Sequence, residues 1–239
     1  IRASGGAEKP FPELCPGKGK HIMNNWLYGK YVAHRGLHTA EISENTLQAF
    51  ENAISHGYNV ELDVQQSKDG KLVVYHDLNL GRLTNSAEDV SALDYRTLTQ
   101  NVVYRATGQG IPDFESALSV CRGRTGLMIE VKKCAYEANV IDMEPEILRI
   151  LKKYDGDFVV KSFNPFTVLW FLENAPEFTV GFLSEYDKIE DYREDSRAAV
   201  EKILFTGSRK ADFSTIASAR SEARSGTAYT ARCPVLPGW

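Results

Sequence analysis

From Tyr31 onward the chain alternates two patterns: short apolar runs of strand length, and longer stretches in which apolar residues recur every three or four positions. Tyr31 to Gly36, Val60 to Gln65, Leu127 to Lys132, Phe158 to Phe163, Thr179 to Leu183 and Ala211 to Ile216 read as strands. Helical stripes lie between them. Leu47, Phe50 and Ile54 form one, with Asn45 as its N-cap, Gln48 completing a capping box and Gly57 ending it. Ile147, Leu148, Ile150 and Leu151 mark another across Glu146 to Tyr154. Asn164-Pro165 opens a third, which carries Leu169, Phe171 and Leu172 before Pro176 stops it. Residues 186–202 read as a charged helix with a solvated outer face. Strand, helix, strand repetition predicts an α/β fold with a parallel sheet and helices outside it.

Two stretches break this rhythm. Residues 1–29 hold Gly5-Gly6, Pro10, Pro12, Pro16 and Gly17 and read as an irregular arm ahead of one domain over 30–239. Leu78 to Gly110 reads as a long excursion over one end of the barrel.

Val60 to Val64 and Leu72 to His76 are too close in sequence for a parallel crossover, so they are expected to form a hairpin. Asp69-Gly70 as a two-residue turn pairs Lys68 with Lys71 and sets Asp63 opposite His76. A three-residue loop with a bulge shifts that pairing by one. Side chains alternate along a strand, so Glu61 and Asp63 share one face while Val60, Leu62 and Val64 point to covering helices.

A length of 239 residues with 43% hydrophobic residues suffices for one large core, and α/β barrels commonly have this size. The net charge of −4 argues against a nucleic-acid partner, because phosphate-backbone binding needs clustered Lys and Arg. No apolar run approaches the roughly 20 residues that span a bilayer, which points to a cytoplasmic protein. The chain opens at Ile1, however, so a leader removed earlier, and with it secretion, stays compatible with the sequence. Cys15, Cys121, Cys134 and Cys233 have no metal-ligand or redox spacing and are expected to be buried thiols.

Four charged clusters fall at strand ends: His34-Arg35-Gly36, Glu61-Leu62-Asp63, His76-Asp77 and Glu130-Val131-Lys132. Glu61, Asp63 and Glu130 offer the hard oxygens that Mg²⁺ and Ca²⁺ prefer. His34 and His76 titrate near neutrality and suit proton transfer. Arg35 is a planar fork for phosphate oxygens and Lys132 a compact positive charge. Each group alone has an ordinary structural explanation. Independent surface charges, though, have no reason to collect at the carboxyl ends of several separate strands, where barrel enzymes build their sites. Lys161-Ser162-Phe163 continues the pattern, with Phe163 expected to close the mouth.

These residues resemble the glycerophosphodiester phosphodiesterase family. The likeness runs through Ala33-His34-Arg35-Gly36, Glu44-Asn45-Thr46, Glu61-Leu62-Asp63-Val64, Val73-Val74-Tyr75-His76-Asp77, Ile111-Pro112, Glu130-Val131-Lys132 and Ser162-Phe163. It implies a TIM (β/α)8-type barrel and metal-dependent hydrolysis of a small glycerophosphodiester to glycerol 3-phosphate and an alcohol. It also implies roles: Glu61, Asp63 and Glu130 as ligands of one divalent cation, Mg²⁺ or Ca²⁺; His34 and His76 as the acid/base pair; Arg35 and Lys132 as phosphate contacts. Glu44 would support the site, and the glycerol 2-hydroxyl would attack phosphorus to give a cyclic phosphate that water opens. Two features depart from the pattern. Ser43 stands where the family commonly has Pro. Pro234-Val235-Leu236 resembles the penultimate strand, and the chain ends at Trp239, expected at the mouth, without an eighth. A lysophospholipase D-type phosphodiesterase and a non-catalytic phosphate-binding barrel are the competing readings.

Overall fold

In the computed structural model, residue 26 and residues 30–133, 143–184, 192–209 and 215–217 are described. Most of the N-terminal arm, the segment from Pro234 to Leu236, Trp239, Cys15, Cys134 and Cys233 lie outside them.

Six parallel strands run in the order β1 (Val32–Ala33), β2 (Asn59–Gln66), β4 (Leu127–Val131), β5 (Phe158–Ser162), β6 (Val180–Ser184) and β7 (Thr215–Ala217), with β3 (Leu72–Val74) antiparallel on β2. Helices α1 (Leu47–Ser55), α3 (Phe114–Cys121), α4 (Glu144–Leu151), α5 (Pro165–Asn174) and α6 (Glu194–Arg209) are the crossovers, and α2 (Tyr95–Gln100) lies in the excursion. Among the described residues β1 pairs only with β2 and β7 only with β6, so the sheet is an α/β barrel wall that does not close.

Alternation along the strands separates two interiors. Val60, Leu62 and Val64 of β2 and Leu127, Ile129 and Val131 of β4 are buried against Phe50, Phe114, Ile147 and Phe171 of the helices. The opposite, inner face begins with Val32, Met128 and Val159, against which Trp26 packs. That apolar floor lies two residues below Glu130 and Lys161 on their own strands.

Helix α1 starts one residue later than expected. Thr46, not Asn45, is the N-cap, its hydroxyl accepting from the Ala49 N–H, and Asn45 instead adopts a φ of 55°. The C-terminus follows the sequence signal: Tyr58 and Gly57 donate to Ala53 and Ile54 carbonyls, a Schellman closure that the positive φ of Gly57 permits.

The hairpin register also differs from the two-residue turn. Val64 pairs with Val74 and Gln66 with Leu72, which places Tyr75, whose N–H donates to the Asp63 carbonyl, opposite Asp63. Ser67 closes the loop on Lys71 around Lys68, Asp69 and Gly70, with Gly70 at φ 78°. A three-residue loop therefore replaces the two-residue one and shifts His76 past the end of the ladder.

Leu80, Val90, Leu98 and Tyr104 of the excursion form a second core with Tyr75 and Ile111, which flank it. Helix α4 begins two residues before its expected start and α6 is displaced toward the C-terminus.

Candidate active site

Register on β2, β4 and β5 sets Asp63 beside Glu130 and Glu130 beside Lys161. Glu61 lies one inward position earlier on β2. One carboxylate oxygen from each of Glu61, Asp63 and Glu130 lies within 4.8 Å of the others, and all three residues are buried. Such carboxylates would repel one another without compensating charge, and two lysines provide it. Lys161 Nζ donates to Glu61 Oε1 at 2.9 Å and Glu130 Oε2 at 3.0 Å. Lys132 Nζ stands 2.5 Å from Glu130 Oε1 and 3.4 Å from Asp63 Oδ1.

The β1 turn closes one side. Arg35 and Gly36 have φ of 58° and 78°, and a methyl group on Gly36 would lie 2.8 Å from the Ala49 backbone, so only glycine lets α1 pack this close. The turn aims the Arg35 N–H at Glu61 Oε2 (2.9 Å) and its guanidinium at Glu44 Oε1 (2.7 Å), with Nε 3.7 Å from Asp63 Oδ2. Asn45 binds Asp63 twice: its amide donates to Oδ2 at 2.8 Å and its carbonyl accepts from the Asp63 N–H at 3.3 Å. The left-handed backbone of Asn45, tolerated by Asn more readily than by most residues, makes that reach possible.

The acids do not titrate alike. Burial raises the Glu61 carboxyl, but Lys161 and His34 outweigh it and hold the group at about 2. Glu130 is likewise lowered, its burial offset by Lys161 and Lys132. Asp63 is pushed up to about 7 by burial and by Glu61, against the pull of Lys132.

His34 and His76 flank this cluster. Burial in the site walls lowers His34, Glu61 opposes it, and Arg35 adds to the lowering, although the residue keeps a solvent-open face. His76 is lowered by burial and Lys132, with Asp77 opposing, and its Nδ1 is 2.6 Å from Asp77 Oδ1. Phe163 follows β5, and Lys132 Nζ lies 5.9 Å from the centre of its ring. The structure thus brings Glu44, Glu61, Asp63, Glu130, Arg35, Lys132, His34, His76 and Phe163 to one end of the sheet.

Asp63 Oδ1 and Glu130 Oε1 are buried and, although both face the Lys132 ammonium, neither has a well-aligned hydrogen bond. Buried acceptors in that condition, together with a third carboxylate within reach, fit a hard divalent cation. Sequence reading gave no role to Lys161, although counting its register from Glu130 signals it. It also gave none to Asn45 beyond capping, and none to Arg82, which spacing does not reveal.

The model of the Glycerophosphoryl diester phosphodiesterase family matches residues 34–234. A glycerophosphodiester phosphodiesterase of Caldanaerobacter subterraneus is 28% identical over 172 residues, 67% of this chain and 69% of that protein. One from Bacillus altitudinis is 38% identical over 109 residues, 43% of this chain and 44% of its own length. A solved Oleispira antarctica phosphodiesterase, in complex with the product sn-glycerol-3-phosphate, superposes with a TM-score of 0.63 at 22% identity, covering 81% of this chain and 85% of that one. This likeness shows the TIM-barrel fold.

Proposed function

The chain belongs to the glycerophosphoryl diester phosphodiesterase family, and from that premise we propose that it hydrolyses small glycerophosphodiesters to glycerol 3-phosphate and an alcohol. The observation that carries the reading is the meeting of Glu61, Asp63 and Glu130 within 4.8 Å, bordered by Arg35, Lys132 and two histidines.

Glu61, Asp63 and Glu130 would hold one divalent cation, Mg²⁺ or Ca²⁺, which when bound neutralises and orients the phosphoryl group. The charge balance supports this division of labour. Three acids are offset by a dication plus Lys161, so Lys132 and Arg35 become available to the phosphate diester, Arg35 as a fork and Lys132 as a point charge. His34 and His76 then serve as the acid/base pair: one imidazole accepts the proton of the attacking hydroxyl and the other delivers a proton to the leaving alkoxide. Both histidines are lowered from 6.5, so near neutral pH each starts largely neutral in the substrate-free site, and bound diester charge raises the one that must donate. Glu44 keeps Arg35 aimed, and Phe163 forms one wall of the entrance.

Release of glycerol 3-phosphate from glycerophosphocholine, followed with and without a chelator, tests the reading. Turnover that stops in chelator and returns with Mg²⁺ or Ca²⁺ supports it. Metal-independent turnover removes the carboxylate site from the reaction, and preference for a lysophospholipid over its deacylated headgroup supports the lipase D alternative.

A further inference from the structure

Arg82 lies outside every β segment of the site, on the 3₁₀ turn Leu80–Arg82 of the excursion. Its guanidinium nonetheless holds two carboxylates at once. Nε and Nη2 donate to Asp77 Oδ2 and Oδ1 at 2.5 and 3.2 Å, while Nη1 and Nη2 donate to Glu44 Oε2 and Oε1 at 3.1 and 2.6 Å. Each carboxylate in turn holds a further side chain: Asp77 Oδ1 is 2.6 Å from His76 Nδ1, and Glu44 Oε1 accepts from Arg35 Nη1 at 2.7 Å. The turn that carries Arg82 is itself fastened. Asn79 caps it through the Gly81 N–H, and the Arg105 guanidinium donates to the Gly81, Arg82 and Thr84 carbonyls.

We propose that Arg82 is a positioning residue whose single guanidinium sets the aim of His76 and Arg35 together, holding the proton-transfer group in register with the phosphate-binding group. The kinetic consequence rests on the diesterase reading; the structural one does not.

The chemistry of the fork explains why arginine stands there. Arg82 makes four contacts to the two carboxylates from one rigid plane, more than the three unaligned N–H groups of an ammonium supply. Burial and the bonds from Arg82 and His76 act on Asp77, and the bonds win, keeping it ionised. An ionised carboxylate only accepts, so His76 Nδ1 carries the proton of their bond and Nε2 is left for the substrate. The charges acting on His76 are Asp77 from its own segment, Lys132 beyond β4 and Arg35 from the β1 turn. Without Arg82, the Asp77 charge acts on His76 undivided.

Arg82→Gln, Arg82→Lys and Arg82→Ala test this, with two readouts. The first is His76 titration by NMR in substrate-free protein, where Arg82→Gln is expected to raise the imidazole pKa by roughly one unit. The second is glycerophosphocholine kinetics, where Arg82→Gln is expected to lower kcat by roughly a hundredfold, the scale of a small misplacement of reacting groups. Arg82→Lys should recover little of this, and added guanidinium should partly restore Arg82→Ala. An unshifted His76 titration overturns the proposal. So does full activity of Arg82→Lys, or a loss in Arg82→Gln that only parallels a lost thermal transition. Inactive wild-type protein would sink the diesterase reading, and the His76 titration would still decide the role of Arg82.

Discussion

Replacing Lys161 by Met removes the cation that bridges Glu61 and Glu130 inside the barrel wall, and its cost can be reached by two routes. Lys161 has a side chain 10% exposed, and its partners are 4% and 6% exposed. Breaking a buried pair from one side costs about 3–5 kcal/mol, because the remaining charges are stranded. The displacement of the Glu61 carboxyl from 4.5 to about 2 is the net of burial, of Lys161 as the leading lowering contributor, of His34 and of the Arg35 N–H, and corresponds to roughly 3 kcal/mol at 1.36 kcal/mol per pKa unit. The two are of one order. Because the folded-state pKa of Glu61 is depressed, this stability is fully present above about 4.5 and is lost as pH falls toward about 2. The assay is urea denaturation of both proteins at pH 7, in chelator and in excess Mg²⁺ or Ca²⁺. Lys161→Met should lose about 3 kcal/mol in chelator and gain more from the divalent ion than wild type does, since the cation then offsets acids that the lysine no longer serves. Equal stability in chelator, or equal stabilisation of both proteins by metal, refutes the charge-balance argument.

Divalent-ion affinity should fall as pH drops below about 7, where the Asp63 carboxyl takes up a proton. Calorimetry in buffers of different ionisation enthalpy at pH 6 should therefore show about one proton released per ion bound, and none released contradicts the assignment. The raised Asp63 pKa has the opposite stability sign to Glu61: the apo protein should lose stability as pH rises from near 4 through about 7, read as a falling thermal midpoint. His34→Ala and His76→Ala should each reduce kcat by roughly 10²–10⁴-fold while ion affinity measured by calorimetry stays near that of wild type. Gly36→Ala should cost about 3 kcal/mol in denaturant unfolding, from a positive φ and a 2.8 Å approach to Ala49.

What the sequence disclosed follows from the range of each interaction. Period-two alternation in Val60 to Val64 is local, and it showed which residues face the helices and hence that Glu61 and Asp63 face the other way; that Glu130 joins them is set by the pairing of β4 with β2. The hairpin was legible, but its register was not. Asp69-Gly70 serves a two-residue and a three-residue loop equally well, and the Ser67 hydroxyl, bonded to Asp69 and to the Lys71 backbone, selects the longer one. Asn45 looked like a cap because Asn caps helices through its side chain. Here that side chain is committed to Asp63, 18 residues away, and Thr46 takes the cap. Lys161 was visible as part of the charged pattern but its partners were not, since Glu61 lies 100 residues away, and Arg82 went unread because its second partner, Glu44, lies 38 residues away. Only the fold brings them together.

The proposed reaction requires that the acids of β2 and β4 share one divalent ion. Anomalous scattering from a crystal soaked in Mn²⁺, a stand-in for Mg²⁺ with the same preference for oxygen, measures this directly. A single strong peak bounded by Glu61, Asp63 and Glu130, lost in Asp63→Asn, is expected. Millimolar Mn²⁺ that leaves this position without a peak, or that binds only elsewhere on the barrel, would contradict it.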